Sequence, residues 1–531
     1  MSLHSSNDWE DISCMAKNCL RLYGEKLSAP LRELLQNACD AVRARRLFDD
    51  QPNNWGEIRV SLVKKGEQWH LSVADVGIGM SVNVMTGALL DFGTSFWNSA
   101  EARKEFPGLA AKKFTPTGRY GIGFFSTFML GKKVKVISRR FDLGQEDTRV
   151  LEFQEGVGSR PLLREADTQE RRINGTSVEI VLDSDPYKPG GLLRSGSIEI
   201  PQLSLREFCA WLCPAFPVTI LVKELDGNWE IAVECNDWMN LPALDLLNRI
   251  EKIEDDDDKK NNLNRRLQRA KNLRPVFDIN GEIVGRLAFR INNRDSRYMM
   301  DDPAVVCVGG SRADSLHYVS GVVAGEPQRA SRDRATPSIT SEERERWLKE
   351  QVQLLQQSDI DPEEKASITP YLVSSDMDTE NLPIALTSSG WMSEPEIRSK
   401  IAGLSRIVLI SPSSLNLMTR NRKVNILDTV IVCESGYYPN LIPLSGDRSG
   451  SDSPNRYDML FGSSIRDVIR GLIVEVWNID EKQIEKTIRE SDDAHSYEAT
   501  VGLDEYGNPV TDDHVDLCDR SEPDVDPTSR T

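Results

Sequence analysis

A segment near the start of the chain carries a carboxylate and an amide at a spacing that suits phosphate chemistry. Apolar residues recur at helical spacing between Leu31 and Phe48, which predicts a helix. Glu33 and Asn37 then share one face of this helix, with Asp40 beside them. Glu33 can orient or deprotonate a water molecule, and the Asn37 side-chain oxygen can complete a magnesium shell already occupied by phosphate oxygens. The alternative is an amphipathic helix whose polar residues face water.

A second motif places a carboxylate at the end of a strand and glycines directly after it. The strand-like run Gln68 to Ala74 leads into Asp75, which is followed by Gly77 and Gly79. Glycines permit positive φ and let a ligand approach the backbone. Asp75 is therefore a candidate acceptor for an exocyclic amine such as that of adenine, although glycine-rich turns also occur for structural reasons alone.

Two later motifs combine glycine with a following regular element. Gly118, Gly121 and Gly123 precede a predicted helix start, an arrangement that can cradle an anion with backbone N–H groups. No strand precedes them and no Gly-Lys-Ser/Thr ends them, so neither a dinucleotide fingerprint nor a Walker loop is present. Thr176 follows a glycine at the start of a strand, where a simple turn is the alternative interpretation.

The elements that position these motifs are four predicted strands and the helix. The strands are expected at 57–64, 68–74, 133–139 and 177–182. Because helices and strands segregate along the chain, the pattern favours an α+β fold over a parallel doubly wound sheet.

The length of 531 residues predicts roughly three domains. We expect a first domain that contains the four motifs at 1–185, a second α/β domain at 197–357 and a smaller α/β domain at 365–485, with a Pro-, Gly- and Ser-rich linker at 183–196. Residues 486–531 are expected to form an acidic disordered tail, since twelve acidic and two basic residues lie between 491 and 531.

Composition excludes several classes of protein. The net charge of -18 argues against a chain built mainly to coat nucleic acid, without excluding a local basic patch. No apolar run approaches the roughly 20 residues of a membrane span, and the first ten residues lack an apolar signal core, so a cytoplasmic protein without membrane contact is expected. The nine scattered cysteines predict reduced thiols, with Cys209 and Cys213 as buried hydrophobes and not zinc ligands.

The order and spacing of the four motifs resemble the GHKL superfamily of ATPases (gyrase, heat-shock, histidine-kinase and MutL proteins). The resemblance implies a Bergerat-type ATP-binding α/β sandwich with ATP and Mg²⁺ as ligands. It assigns water activation to Glu33, metal binding to Asn37 and adenine recognition to Asp75. The remaining nucleotide-binding residues that it implies are Asp40, Gly77, Gly79, Met80, Thr94, Gly118, Gly121, Ile122, Gly123, Phe124 and Thr176.

Within the superfamily, the run Gly121-Ile122-Gly123-Phe124-Phe125-Ser126 and the strand after it look most like the ninety-kilodalton heat-shock chaperones. Residues 92–117 would then form a mobile lid over ATP, and we call them the lid segment. One departure is clear: chaperones carry a lysine shortly after the Gly-Thr of the lid, where this chain has Phe96, Trp97 and Asn98. Lys112 and Lys113 are the candidate substitutes.

The resemblance implies a homodimeric, ATP-gated clamp that acts on a protein client or partner. A MutL- or MORC-like ATPase acting on DNA is a second reading, although nucleic acid is not favoured, and an ATP-gated regulatory or defence protein controlling a partner enzyme is a third. In this superfamily the following domain supplies a basic residue to the γ-phosphate, for which Arg332 and Arg334 are candidates by position. The alternative for either arginine is a salt bridge in a surface loop.

Overall fold

The computed structural model describes most of the chain. The described residues are 27–91, 93, 95–112, 114–118, 121, 123–172, 174–194, 202–251, 259–291, 304–329, 334–420, 423–436, 438, 440–444, 463–479, 499–512 and 515–520. Among them, no helix is long and apolar enough to cross a membrane.

A mixed eight-stranded sheet carries the second and fourth motifs on two of its strands. Its strand order is β5-β4-β3-β6-β2-β1-β7-β8. The bounds are β1 Glu57–Lys65, β2 Gln68–Asp75, β3 Lys133–Arg139, β4 Arg149–Phe153, β5 Leu162–Glu165, β6 Gly175–Val181, β7 Thr219–Glu224 and β8 Glu230–Val233. The predicted strands agree with β1, β2, β3 and β6 to within about two residues at each end.

The helices include the one predicted over the first motif. That helix, α1, spans Ser28–Phe48 and packs its apolar side into the core of the eight-stranded sheet. The other α-helices are α2 Val82–Thr86, α3 Ala100–Glu105, α4 Pro107–Ala111, α5 Leu205–Leu212, α6 Ala243–Ile250, α7 Lys259–Asn272, α8 Ser341–Gln356, α9 Pro362–Ala366, α10 Thr369–Ser374, α11 Glu394–Ala402, α12 Pro412–Thr419 and α13 Ile465–Trp477. The described chain is thus mixed α+β, as its sequence predicts.

The predicted linker does not delimit the first sheet. β7 lies beyond it and pairs in parallel with β1, from Glu57↔Thr219 to Leu62↔Glu224. Apolar residues of α5 and β7 enter the same core as α1 because their side chains face the same layer. A boundary at 183–196 is therefore wrong as the limit of this sheet.

The second sheet has the order β12-β11-β13-β10-β9, with β14 paired to β13. Its strands are β9 Arg274–Phe277, β10 Ile283–Phe289, β11 Ala304–Val308, β12 Ser311–Leu316, β13 Val319–Pro327 and β14 Ala335–Pro337. One compact unit contains the described residues up to 288 together with 304–316 and 320–339, and a second contains 289–291, 317–319 and those from 340 onward. Helix α8, expected in the second domain, belongs to the second unit.

The second unit contains two sheets, of orders β16-β15-β19-β17-β22 and β18-β20-β21. Their strands are β15 Pro383–Thr387, β16 Gly390–Ser393, β17 Arg406–Ile410, β18 Val424–Ile426, β19 Val430–Val432, β20 Ala499–Asp504, β21 Pro509–Asp512 and β22 Asp516–Asp519. The prediction of a disordered tail from 486 is therefore wrong for the segments that form β20, β21 and β22. Val501, Val510 and Cys518 are buried, and this apolar burial outweighs the local negative charge.

Candidate functional site

Helix α1 carries an amide side chain that lines a cavity and a carboxylate that is buried behind the cavity wall. Asn37 is the single exposed residue between Leu31 and Asp40, and its side chain lines the cavity. Glu33 is fully buried one turn earlier. A methyl group at Gly123 would overlap Oε2 of Glu33, so only glycine lets the segment after the lid approach this carboxylate.

Asp75 ends β2 at the wall of the same cavity. It is 7% exposed, and its Oδ1 accepts a hydrogen bond of 2.7 Å from the N–H of Gly77. Burial raises the pKa of the Asp75 carboxyl from 3.8 to about 7, against the lowering effect of the hydrogen bonds from Gly77 and Thr176 and of the nearby Arg45 charge. The Asp75 carboxyl therefore carries a desolvation penalty that a hydrogen-bond donor in the cavity would offset.

A buried hydroxyl on β3 joins the second and fourth motifs. Ser138 Oγ accepts from the N–H of Met80 at 2.9 Å, donates to the Gly175 carbonyl at 3.1 Å and lies 2.8 Å from the Thr176 hydroxyl. Because the Ser138 hydroxyl donates its hydrogen bond to Gly175, it accepts a hydrogen bond from the Thr176 hydroxyl. The Thr176 oxygen can therefore still accept a hydrogen bond from a group in the cavity. Ser138 was not predicted from the sequence, where its only signal is a serine at an inward position of the alternating strand β3.

Asp40 holds the start of the glycine segment in place. Its two carboxylate oxygens accept from the N–H groups of Thr117 at 3.0 Å and Gly118 at 2.7 Å. The hydroxyl of Ser95 donates to the Gly118 carbonyl at 2.8 Å. The carboxylate of Asp40 is thus directed at the chain, which favours a positioning role over direct contact with a ligand.

The rest of the cavity is mostly apolar, as an aromatic base requires. Its remaining lining residues are Leu34, Ala38, Ala41, Val73, Ile78, Val84, Ala88, Leu89, Ser95, Phe96, Trp97, Val136 and Val178. Polar groups therefore face the cavity at a few points: the Asp75 end, the Thr176 hydroxyl, and the edge formed by Asn37 and the glycine segment.

The cavity brings together most of the residues that the sequence singles out. Those that line it are Asn37, Asp75, Gly79, Met80, Gly118, Gly121, Gly123, Phe124 and Thr176. Gly77 lies directly behind Asp75, to which it donates. Thr94, Lys113, Ile122 and Arg332 lie outside the described residues.

Two basic residues are placed away from the cavity lining. Arg334 is exposed just before β14 and is not among the lining residues. Lys112 donates to the Leu47 carbonyl at 2.7 Å and to Asp50 at 2.5 Å, at the carboxyl end of α1. In this arrangement Lys112 does not take the place of the lid lysine.

The donor set suits a phosphate-bound metal ion better than a preformed metal centre. Among the described residues, no three His, Cys, Asp or Glu side chains converge as metal ligands. A methyl group at Gly118 would lie 3.6 Å from Asn37 Oδ1, so this amide oxygen faces the glycine segment closely. One neutral oxygen beside an anion cradle fits Mg²⁺ that keeps phosphate and water ligands.

Comparison with known proteins agrees with the geometry of this region. Residues 26–170 match the family model described as histidine kinase-, DNA gyrase B-, and HSP90-like ATPase. This confirms the superfamily resemblance for the region that holds most of the cavity, up to residue 170.

Similar curated proteins bear the name chaperone protein HtpG. That of Azorhizobium caulinodans is 36% identical over 161 residues, which cover 29% of this chain and 24% of the relative. That of Shewanella oneidensis is 31% identical over 160 residues, with the same two shares. That of Nitrobacter hamburgensis is 32% identical over 168 residues, covering 29% and 25%. The match thus spans about a quarter of the length of these relatives.

Proposed function

We propose that the cavity binds ATP with Mg²⁺ and that the chain hydrolyses it, using the cycle to drive a chaperone-like clamp. The observation that carries this is the convergence of Asp75, Thr176, Asn37 and the glycine segment on one mainly apolar cavity. Adenine suits the apolar end, where Asp75 accepts from its amine and Thr176 supports the same edge. The triphosphate suits the edge at Asn37.

Three residues of helix α1 have different proposed roles in hydrolysis. Glu33, fully buried against Gly123, is the proposed base that holds and deprotonates the attacking water beside the γ-phosphate. Asn37 offers Oδ1 to Mg²⁺, which when bound neutralises phosphate charge. Asp40 keeps the glycine segment against α1 through Thr117 and Gly118.

The wider function rests on the relatives. Proteins named chaperone HtpG share this region at 31% to 36% identity, which supports a chaperone-like use of the ATPase and a homodimer acting on a protein client. Arg332 is retained as the candidate for the γ-phosphate contact from the following domain.

Titration with a fluorescent ATP analogue tests nucleotide binding in the full chain. Asp75→Asn should weaken binding about 10- to 100-fold, since a hydrogen bond to a charged group contributes about 1.5–3 kcal/mol. Asp226→Asn, at an exposed loop position, is the matched control and should bind like the wild type. Equal affinity in all three proteins would remove Asp75 from the nucleotide site.

Aggregation assays test the clamp. The wild type should suppress aggregation of an unfolded client protein in an ATP-dependent manner, and Asp75→Asn should lose that dependence on ATP. ATP binding without any effect on the client would leave the ATPase in place and exclude the chaperone role.

A further inference from the structure

The turn between β11 and β12 of the second sheet contacts helix α1 beside the catalytic positions. Nε2 of Gln36 donates a hydrogen bond of 3.2 Å to the carbonyl of Val308. Gln36 is 1% exposed and lies between Glu33 and Asn37 in the sequence. Its amide is thus used to bind the second sheet and is not displayed to the cavity.

Two glycines allow this turn to pack closely against neighbouring segments. Gly309 and Gly310 have φ values of +57° and +82°. A methyl group at Gly309 would lie 2.6 Å from both Cγ2 and Oγ1 of Thr117. Gly310 is held on its other side, where its carbonyl accepts from the N–H of Ala215 at 3.1 Å. The turn is therefore seated between α1, the segment before β7 and the end of the lid segment.

Thr117 is the last residue of the lid segment, directly before the glycine motif. Its N–H and that of Gly118 both donate to Asp40 on α1, and Gly118 lines the cavity. Gly309 therefore packs against the residue at which the lid segment joins the glycine motif.

We propose that the 308–310 turn is a positioning element for ATP turnover. It fixes Gln36 on α1 and Thr117 at the end of the lid segment, so that Glu33 and the glycine segment keep their relative places during hydrolysis. A displacement of about 1 Å at a reacting geometry can reduce a rate by about 100-fold. The inference rests on the proposed ATPase function and adds Gln36, Gly309 and Thr117 as residues that act through others.

A pair of glycine substitutions in the full chain isolates this contact. Gly66, in the turn between β1 and β2, has a φ of +59°, close to that of Gly309, and a methyl group there would meet no heavy atom within 4 Å. Gly66→Ala and Gly309→Ala therefore carry similar backbone strain, and only the second presses on Thr117. We expect kcat of Gly309→Ala to fall about tenfold or more below that of Gly66→Ala, with the Kd for ATP changed less than about threefold.

A second substitution distinguishes positioning from general damage. Thr117→Ala removes Cγ2 and Oγ1 and leaves Cβ, which lies 3.1 Å from the position of the added methyl. The double variant Gly309→Ala/Thr117→Ala should recover most of the lost kcat. If Gly309→Ala does not fold, Gln36→Met keeps the side-chain volume, removes the donor to Val308 and should lower kcat with little effect on Kd.

The outcomes separate this inference from the function on which it rests. Three results would overturn the inference alone. Gly309→Ala could turn over ATP as fast as Gly66→Ala, or it could change only the Kd for ATP. Gln36→Met could also turn over ATP at the wild-type rate. A wild-type protein that does not bind ATP would overturn the proposed function and the inference with it.

Discussion

Replacing Asp75 by asparagine should stabilise the unliganded protein while it weakens ATP binding. Asparagine has the same shape, and its single oxygen can keep one of the two backbone hydrogen bonds that Asp75 accepts, the one from the N–H of Gly77. It has no charge to bury. The change therefore removes the desolvation penalty of an ionised carboxylate at a position that is only 7% exposed.

The magnitude follows from the pKa of this carboxyl, which burial raises from 3.8 to about 7. One pKa unit corresponds to about 1.4 kcal/mol, so the ionised Asp75 costs about 4 kcal/mol of folding free energy above pH 7. Between pH 3.8 and 7 the folded chain binds the extra proton, so stability falls as pH rises through this range and is level above it. The advantage of Asp75→Asn over the wild type should therefore grow by about 3 kcal/mol from pH 5 to pH 8.

Urea unfolding of the two proteins at pH 5, 6, 7 and 8 measures this difference. The chain has two compact units, so the transition to compare is the one that ATP shifts in the wild type. Asp226→Asn should show no comparable gain. A difference between Asp75→Asn and the wild type that stays constant from pH 5 to pH 8 would refute the reasoning, because it would mean that the carboxylate is ionised without penalty.

Three further predictions concern the residues assigned to catalysis. Glu33→Gln should keep ATP binding and lose about 10²- to 10⁴-fold in turnover, measured by phosphate release; unchanged turnover would exclude a water-activating role. Gly123→Ala should approach the same loss because its methyl displaces the Glu33 carboxylate, whereas Gly158→Ala, whose methyl meets nothing closer than 4.0 Å, should turn over ATP normally. Arg334→Ala should change turnover less than about threefold, in keeping with its exposure, and Arg332→Ala should lower it strongly; the reverse order would exchange the two roles.

Local pattern was sufficient for Asn37 and Asp75, which line the cavity, and for Glu33, which is buried behind it. Glu33, Asn37 and Asp75 lie on elements whose periodicity is visible over one helix or one strand, and these elements formed as predicted. Short-range signals of this kind depend on neighbours in the sequence, so no tertiary information was needed.

Roles that depend on distant pairing could not be predicted. Asp40 had been grouped with the ligand residues, yet its carboxylate accepts from Thr117 and Gly118, 77 and 78 positions away. The contact of Gln36 with Val308 spans 272 positions, and nothing in either segment indicates the other. The strands after residue 499 were missed because acidic residues between the buried valines masked their alternation.

The parallel pairing of β1 with β7 has a consequence for any attempt to isolate the ATPase. A fragment that ends where the family match ends, at residue 170, would lack β6, β7 and β8. It would then present β1, from Glu57 to Leu62, as an open edge able to pair with another copy, together with the apolar surface that α5 covers. Such a fragment should aggregate, whereas one that continues past Val233 keeps that edge covered. The segment that can fold as an independent unit is thus longer than the segment that sequence similarity detects.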